Sequence, residues 1–152
     1  MLTFEHQSLI DALPTRVFAF HERPEALRLL IPPSQPARML EATGGIRAGA
    51  RVVIGLPFGL KWVAVHTEYE QDHLFVDIQQ SGPMRFWEHR HIVEAAGPGR
   101  TLLKDSVRFS LPGGAIVDLL FGWFAKLQLR SMFRYRHAVT KRECEREDTS
   151  AR

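Results

Sequence analysis

The chain opens on strict alternation. From Leu2 to Ile10, Phe4, His6, Ser8 and Ile10 fall on one side of an extended backbone, with Glu5 and Gln7 on the other, which predicts a half-buried strand. Asp11-Ala12-Leu13-Pro14 ends the pattern, and Pro14 suits the first turn of a short helix carrying Val17, Phe18 and Phe20. A second short helix after Arg23-Pro24 carries Ala26, Leu27, Leu29 and Leu30. It stops at Ile31-Pro32-Pro33-Ser34-Gln35-Pro36, because proline cannot continue a helix. Strand-like runs follow over Arg38 to Ala42, Arg51 to Leu56, Leu60 to Glu70, His73 to Gln80, Arg85 to Ala95 and Thr101 to Leu111. The breaks between them, such as Pro57-Phe58-Gly59, Gln71-Asp72 and Gly97-Pro98-Gly99, are short enough for hairpins and predict an antiparallel meander. After Pro112-Gly113-Gly114 the period becomes helical. Ile116, Leu119, Leu120, Trp123, Phe124 and Leu127 form one apolar face, continued by Met132 and Phe133, and the helix is expected to run to about Arg142.

A sheet with one apolar face must cover it, and only the last helix is long enough to do so. The expected fold is therefore α+β: a curved antiparallel sheet around a long C-terminal helix, two short helices after the first strand, and a cavity wherever facing side chains fail to meet. Residues 1–143 read as one domain and 144–152 as a polar, disordered tail.

Composition adds exclusions. With 152 residues, 45% hydrophobic and 24% charged, the chain can bury a core without metal or disulfide staples. A net charge of +3 spread along the sequence gives no reason to expect nucleic acid. The longest apolar stretch, Ala115 to Leu129, is interrupted by Asp118 and Lys126, so no transmembrane segment is expected. The single cysteine, Cys144, can form neither an internal disulfide nor a zinc cluster. It reads as a surface thiol in a cytoplasmic protein.

The order of elements, together with particular residues, resembles the START/SRPBCC superfamily, which includes polyketide cyclases, aromatases and lipid-transfer domains. The residues are Phe18-Ala19-Phe20-His21-Glu22-Arg23-Pro24, Leu30-Ile31-Pro32-Pro33, Phe75-Val76-Asp77-Ile78-Gln79, Gly82-Pro83, Trp87-Glu88-His89-Arg90-His91, Thr101 to Val107, and Pro112. They are similar to those of a bacterial branch of that superfamily. The resemblance implies a helix-grip fold and a hydrophobic ligand, and no single reaction, since one fold hosts many functions.

Candidate chemistry sits on the last strands. Period two puts Trp87, His89 and His91 on one face, and Asp105, Val107 and Phe109 on one face of the next run. A hairpin pivoting at Pro98 sets His91 opposite Asp105 and His89 opposite Val107. Asp77 and Gln79 share a face whose direction the Ser81-Gly82-Pro83 turn leaves open. A His–Asp pair is most often a satisfied structural network. It also serves to hold a ligand's polar end, or to act as a general base, with His91 oriented by Asp105. His89 and His91, with Asp105, have metal-ligand chemistry, but no second shell is readable, so neither metal nor other cofactor is expected.

The expected ligand is a small hydrophobic molecule: a lipid, isoprenoid or polyketide. Trp62, Trp87, Val107, Phe109, Leu119, Leu120, Trp123 and Leu127 would wall the cavity, and Asp77, Gln79, His89, His91 and Asp105 would face the ligand's polar end. Two alternatives stay open: a cyclase, dehydratase or hydrolase in the same cavity, and a protein-partner module using the basic stretch Arg130 to Arg142. Phe121 and Leu129, off the main stripe, are compatible with a homodimer contact. His6, His66 and His73 read as ordinary strand positions, and His21 and His137 as helix surface or edge.

Overall fold

The computed structural model describes the backbone of residues 1–150 and the side chains through Arg146. In chain order the elements are β1 (Leu2–Ile10), α1 (Pro14–Glu22), α2 (Ala26–Leu30), β2 (Arg38–Thr43), β3 (Arg51–Gly55), a 3-10 turn at Pro57–Gly59, β4 (Lys61–Glu70), β5 (Leu74–Ser81), β6 (Phe86–Ala95), β7 (Thr101–Ser110) and α3 (Ala115–Ser150). The strands form one antiparallel sheet in the order β1-β7-β6-β5-β4-β3-β2. β2 through β7 are a meander of neighbours, and α1 and α2 span the gap that brings β1 beside β7. Register shifts in the β2–β3 and β4–β5 pairs add local twist and help the sheet curl. This is the helix-grip fold expected from the sequence.

The β6–β7 hairpin has the symmetric register. Trp87 faces Phe109, His89 faces Val107 and His91 faces Asp105. All six are buried on the concave side, and Phe4, Leu129 and Phe133 join Trp87, Val107 and Phe109 in one apolar cluster. A second cluster packs Phe18 and Phe20 of α1 against Phe75, Leu103 and Val139.

α3 meets the sheet differently from expectation. Among the described side chains its buried positions are Asp118, Gly122, Leu129, Phe133, His137, Thr140 and Cys144, successive points of one helical stripe, with Val139 beside it. Two local contacts set that orientation. The Asp118 carboxylate accepts the backbone N–H of Leu111 at 2.7 Å and the Ser110 hydroxyl at 2.9 Å, tying the start of the helix to the end of β7. At Gly122 the helix passes so close to β1 that a Cβ would lie 2.9 Å from Leu2 Cδ2. The inward face of the first three turns is therefore small or polar, and the large apolar residues turn outward. Leu119, Leu120, Trp123 and Leu127, expected as cavity walls, are 83%, 57%, 63% and 50% exposed. Ile116, Phe121 and Phe124 are exposed beside them. Leu129 is a core residue rather than a dimer contact.

The helix also continues past Arg142 to Ser150, taking in most of the segment expected as a disordered tail; residues 151–152 lie outside the described ones. Cys144, expected at the surface, is buried against the α1 cluster. Among the described residues no helix is long and apolar enough to cross a membrane.

Candidate functional site

Between the concave face and the C-terminal half of α3 lies a cavity of about 920 Å³. That is within the range of small-molecule sites, about 300–1,000 Å³. Parity along the strands supplies its floor: Trp62, Ala64 and His66 from β4, Phe75 and Asp77 from β5, and Trp87, His89 and His91 from β6. Leu129, Met132, Phe133 and Arg136 close it from α3, and α2 with the proline-rich connection to β2 forms the rim. Trp62 and Trp87 meet edge to face, with ring centroids 5.0 Å apart.

Of the residues expected at the site, Trp62, Asp77, Trp87, His89 and His91 line this cavity. Asp105 lies one layer behind. Val107 and Phe109 are fully buried in the core beneath it. Gln79 does something else: its amide brackets the β5–β6 turn, donating to the Met84 carbonyl at 2.8 Å and accepting the Met84 N–H at 3.1 Å.

The polar patch centres on Asp105. Its Oδ1 lies 2.9 Å from His89 Nε2 and 2.8 Å from His91 Nδ1. The second of these contacts is close but poorly aligned for a hydrogen bond. Its Oδ2 takes a 2.6 Å bond from His137 Nε2. Because a carboxylate only accepts, His137 carries its proton on Nε2, and its Nδ1 accepts from the Ser8 hydroxyl at 2.7 Å. On the cavity side, Asp77 Oδ2 stands 3.3 Å from His91 Nε2 and 3.6 Å from His89 Nδ1. His91 stacks on Phe75 at 3.9 Å. His66 pairs with Asp77 across the β4–β5 ladder, and its buried Nδ1 has no hydrogen-bond partner.

Sequence reasoning missed four of these residues. His137 and Arg136 enter because α3 turns the stripe that includes Leu129 and Phe133 inward. His66 follows from the alternation of Trp62, Ala64 and His66 along β4. His21 looked like helix surface, but α1 packs it over the floor, 6.0 Å from His91, where its Nδ1 donates to the Val17 carbonyl at 2.8 Å.

The electrostatics separate these histidines. Burial, and then the neighbouring His91, push His21 down to about 3. The same two causes push His89 down to about 4, against the pull of Asp105. Burial acts on His91 as well, but the Asp105 charge in close contact with it and the bond to Asp77 outweigh it and raise its pKa. Burial opposes ionisation of Asp105, yet the His91 and His89 charges and the His137 bond hold it well below the usual carboxylate range.

A pH dependence follows. His21 and His89 stay neutral in the fold at pH values where the unfolded chain takes up protons near 6.5. The stability they contribute is complete above pH 6.5 and is lost as pH falls from 6.5 towards about 4 for His89 and about 3 for His21. His91 acts in the opposite sense, contributing stability below 6.5 that is lost as pH rises through its folded pKa. Thermal melts should show the midpoint falling as pH drops from 6.5 to 4. His21→Phe should flatten that slope by up to ~1.4 kcal/mol per pH unit. An unchanged slope would place His21 in water rather than in the core.

A curved seven-stranded sheet gripping a long helix over a mainly apolar cavity is the architecture of START/SRPBCC proteins. More particularly, the chain belongs to a domain family of unknown function, DUF8410, whose profile matches residues 37–144. No curated protein matches it. Among solved structures it is similar to the nucleoside-diphosphate sugar epimerase of Corynebacterium glutamicum, at 27% identity and a TM-score of 0.75. That match covers 95% of this chain but 29% of the epimerase, so the chain spans less than a third of that protein. Norcoclaurine synthase from Thalictrum flavum, in complex with dopamine and hydroxybenzaldehyde, matches at 15% identity and a TM-score of 0.67, over 95% of this chain and 87% of the enzyme. A START superfamily protein from Mycobacterium smegmatis matches at 13% and 0.66, over 95% and 97%.

Proposed function

We propose that this protein binds one small, largely apolar molecule in the cavity between sheet and α3, with the molecule's polar end towards Asp77, His89 and His91. The observation that carries this is the cavity itself: a space of about 920 Å³, apolar around Trp62, Trp87, Leu129 and Met132, with a buried polar cluster of Asp77, His89 and His91 at one place on its floor. A lipid, isoprenoid or polyketide has that distribution of polarity. The two small aromatic molecules held by norcoclaurine synthase support the same use of a similar fold. Burying roughly 300 Å² of apolar ligand surface at about 25 cal/mol per Å² yields about 7 kcal/mol before association costs of about 4 kcal/mol or more. Apolar burial alone then leaves about 3 kcal/mol or less, a dissociation constant of about millimolar or weaker, which polar contacts at the floor would tighten.

A second use of the floor is proton transfer. His91 stands between two carboxylates at the cavity surface, and a cyclase, dehydratase or hydrolase would employ it as acid or base, oriented by Asp105. A partner-binding role draws instead on the exposed apolar face around Leu119 and Trp123.

The three tryptophans make the first proposal testable. Trp62 and Trp87 line the cavity, and Trp123 is on the surface. In a Trp123→Phe chain, a neutral naphthalene probe should quench the remaining emission saturably. Ala64→Phe, which fills the floor, should weaken that binding at least about tenfold, the cost of losing roughly 1.4 kcal/mol of contact. Quenching that is linear in probe, or indifferent to Ala64→Phe, would reject a ligand cavity.

A further inference from the structure

The two floor histidines each point a ring nitrogen at the same carboxylate oxygen, Asp77 Oδ2. Asp105 Oδ1 can only accept, so His89 Nε2, bonded to it at 2.9 Å, carries hydrogen in the neutral ring, while His91 Nδ1 stands 2.8 Å from the same oxygen. That leaves the lone pair of His89 on Nδ1, facing Asp77. His89 Nδ1 and His91 Nε2 converge on Asp77 Oδ2, at 3.6 and 3.3 Å, and the three residues each offer a ligand atom within 4.8 Å of the others. Without an ion His91 Nε2–H donates to Asp77 Oδ2; an ion of the zinc class would take the place of that proton among the three groups.

The spacing suits an ion. Bonds of about 2.0–2.1 Å to a tetrahedral zinc-class ion hold its donors about 3.3–3.4 Å apart. The second shell that looked absent in the sequence is Asp105: a ligating imidazole ordinarily gives its other N–H to a carboxylate, and here one carboxylate stands behind both rings. A fourth nitrogen is at hand. His66 neighbours Asp77 across the ladder, is 7% exposed, faces the cavity, and leaves Nδ1 without a hydrogen-bond partner.

We propose that Asp77, His89 and His91 bind a divalent transition-metal ion of the zinc class at the cavity floor, with Asp105 as the positioning carboxylate behind both histidines. Two nitrogens and one oxygen favour zinc, cobalt or nickel over magnesium and calcium, which take all-oxygen sets. The coordination positions left over face His66 and the cavity, where an oxygen at a ligand's polar end would reach the ion. That last step rests on the ligand reading; the metal site does not.

The test is a Co²⁺ titration of the untagged full chain after chelator treatment, read by the visible ligand-field band, with Zn²⁺ and Mg²⁺ as competitors. One equivalent of Co²⁺ per chain should give a tetrahedral-type band that Zn²⁺ bleaches and excess Mg²⁺ does not. Asp77→Asn and His89→Ala should abolish it, and Asp105→Asn should weaken binding by about 10–100-fold. The wild-type titration needs no variant to fold, and circular dichroism checks the variants. No band in the folded wild-type chain overturns the proposal. So does a band that persists in folded Asp77→Asn or His89→Ala, since the ion is then elsewhere. The naphthalene titration reads the cavity independently, so loss of either activity leaves the other measurable.

Discussion

Asp105→Ala is expected to cost about 3–5 kcal/mol of stability, the range for removing one partner of a buried charged network. In a domain of this size that lowers the melting midpoint by roughly 10 °C, at about 2–4 °C per kcal/mol. Asp105 is 3% exposed and its two oxygens serve three rings: His89 and His91 on one, His137 on the other. Truncation leaves the N–H groups of His89 and His137 without acceptors in the interior, and each such orphan costs about 1–3 kcal/mol. It also cuts the link between β7, β6 and α3 that these bonds provide. Asp105→Asn keeps one acceptor oxygen and should fall between wild type and Asp105→Ala. A midpoint within a degree or two of wild type for Asp105→Ala would mean that the three histidines find water instead, and that the floor is not closed.

Phe133→Ala is the second large effect, at about 3–5 kcal/mol for a fully buried aromatic ring. Phe133 has no exposed surface. Its ring lies 5.5 Å from that of Phe4 on β1 and stands edge-on to His89 of β6 at 5.1 Å, so it locks α3 to two strands at once. Trp123→Ala removes a larger side chain from the same helix, yet it should change stability by no more than about 0.5 kcal/mol, because Trp123 is on the surface. Chemical denaturation of the two variants checks the orientation of α3. Equal losses, or a larger loss for Trp123→Ala, would mean that the helix buries the face that Leu119, Trp123 and Leu127 form.

That contrast marks what the sequence made legible. Alternation and turn residues placed β1, the hairpins and the helix start to within a residue or two, because strand parity and glycine- or proline-rich breaks are local properties. The β6–β7 register was legible for the same reason: ten-residue strands either side of Gly97-Pro98-Gly99 have one symmetric pairing. The facing of α3 was not, because pattern reading assigns the largest apolar residues to the interior. Here close approach to Leu2 demands Gly122, and the helix start demands Asp118, so the inward stripe begins with residues that pattern reading discards. Arg136 and His137 are on that same stripe and were misplaced with it. Asp77 was ambiguous because the β5–β6 turn hides its parity, and Gln79 was assigned to the site although it spends both amide groups on Met84. Asp105 was recognised as a partner of His91. That it also reaches His89 and His137 depends on side-chain depth, which periodicity does not encode.

The central claim is an interior that admits a small apolar molecule. Native mass spectrometry of the purified chain, exposed to a mixture of medium-chain alcohols and small aromatic alcohols, tests it most directly. One bound molecule per chain is predicted for wild type and for Trp123→Phe, with occupancy lost in Ala64→Phe. A ligand-free wild-type spectrum, or binding that survives with the floor filled, would contradict it.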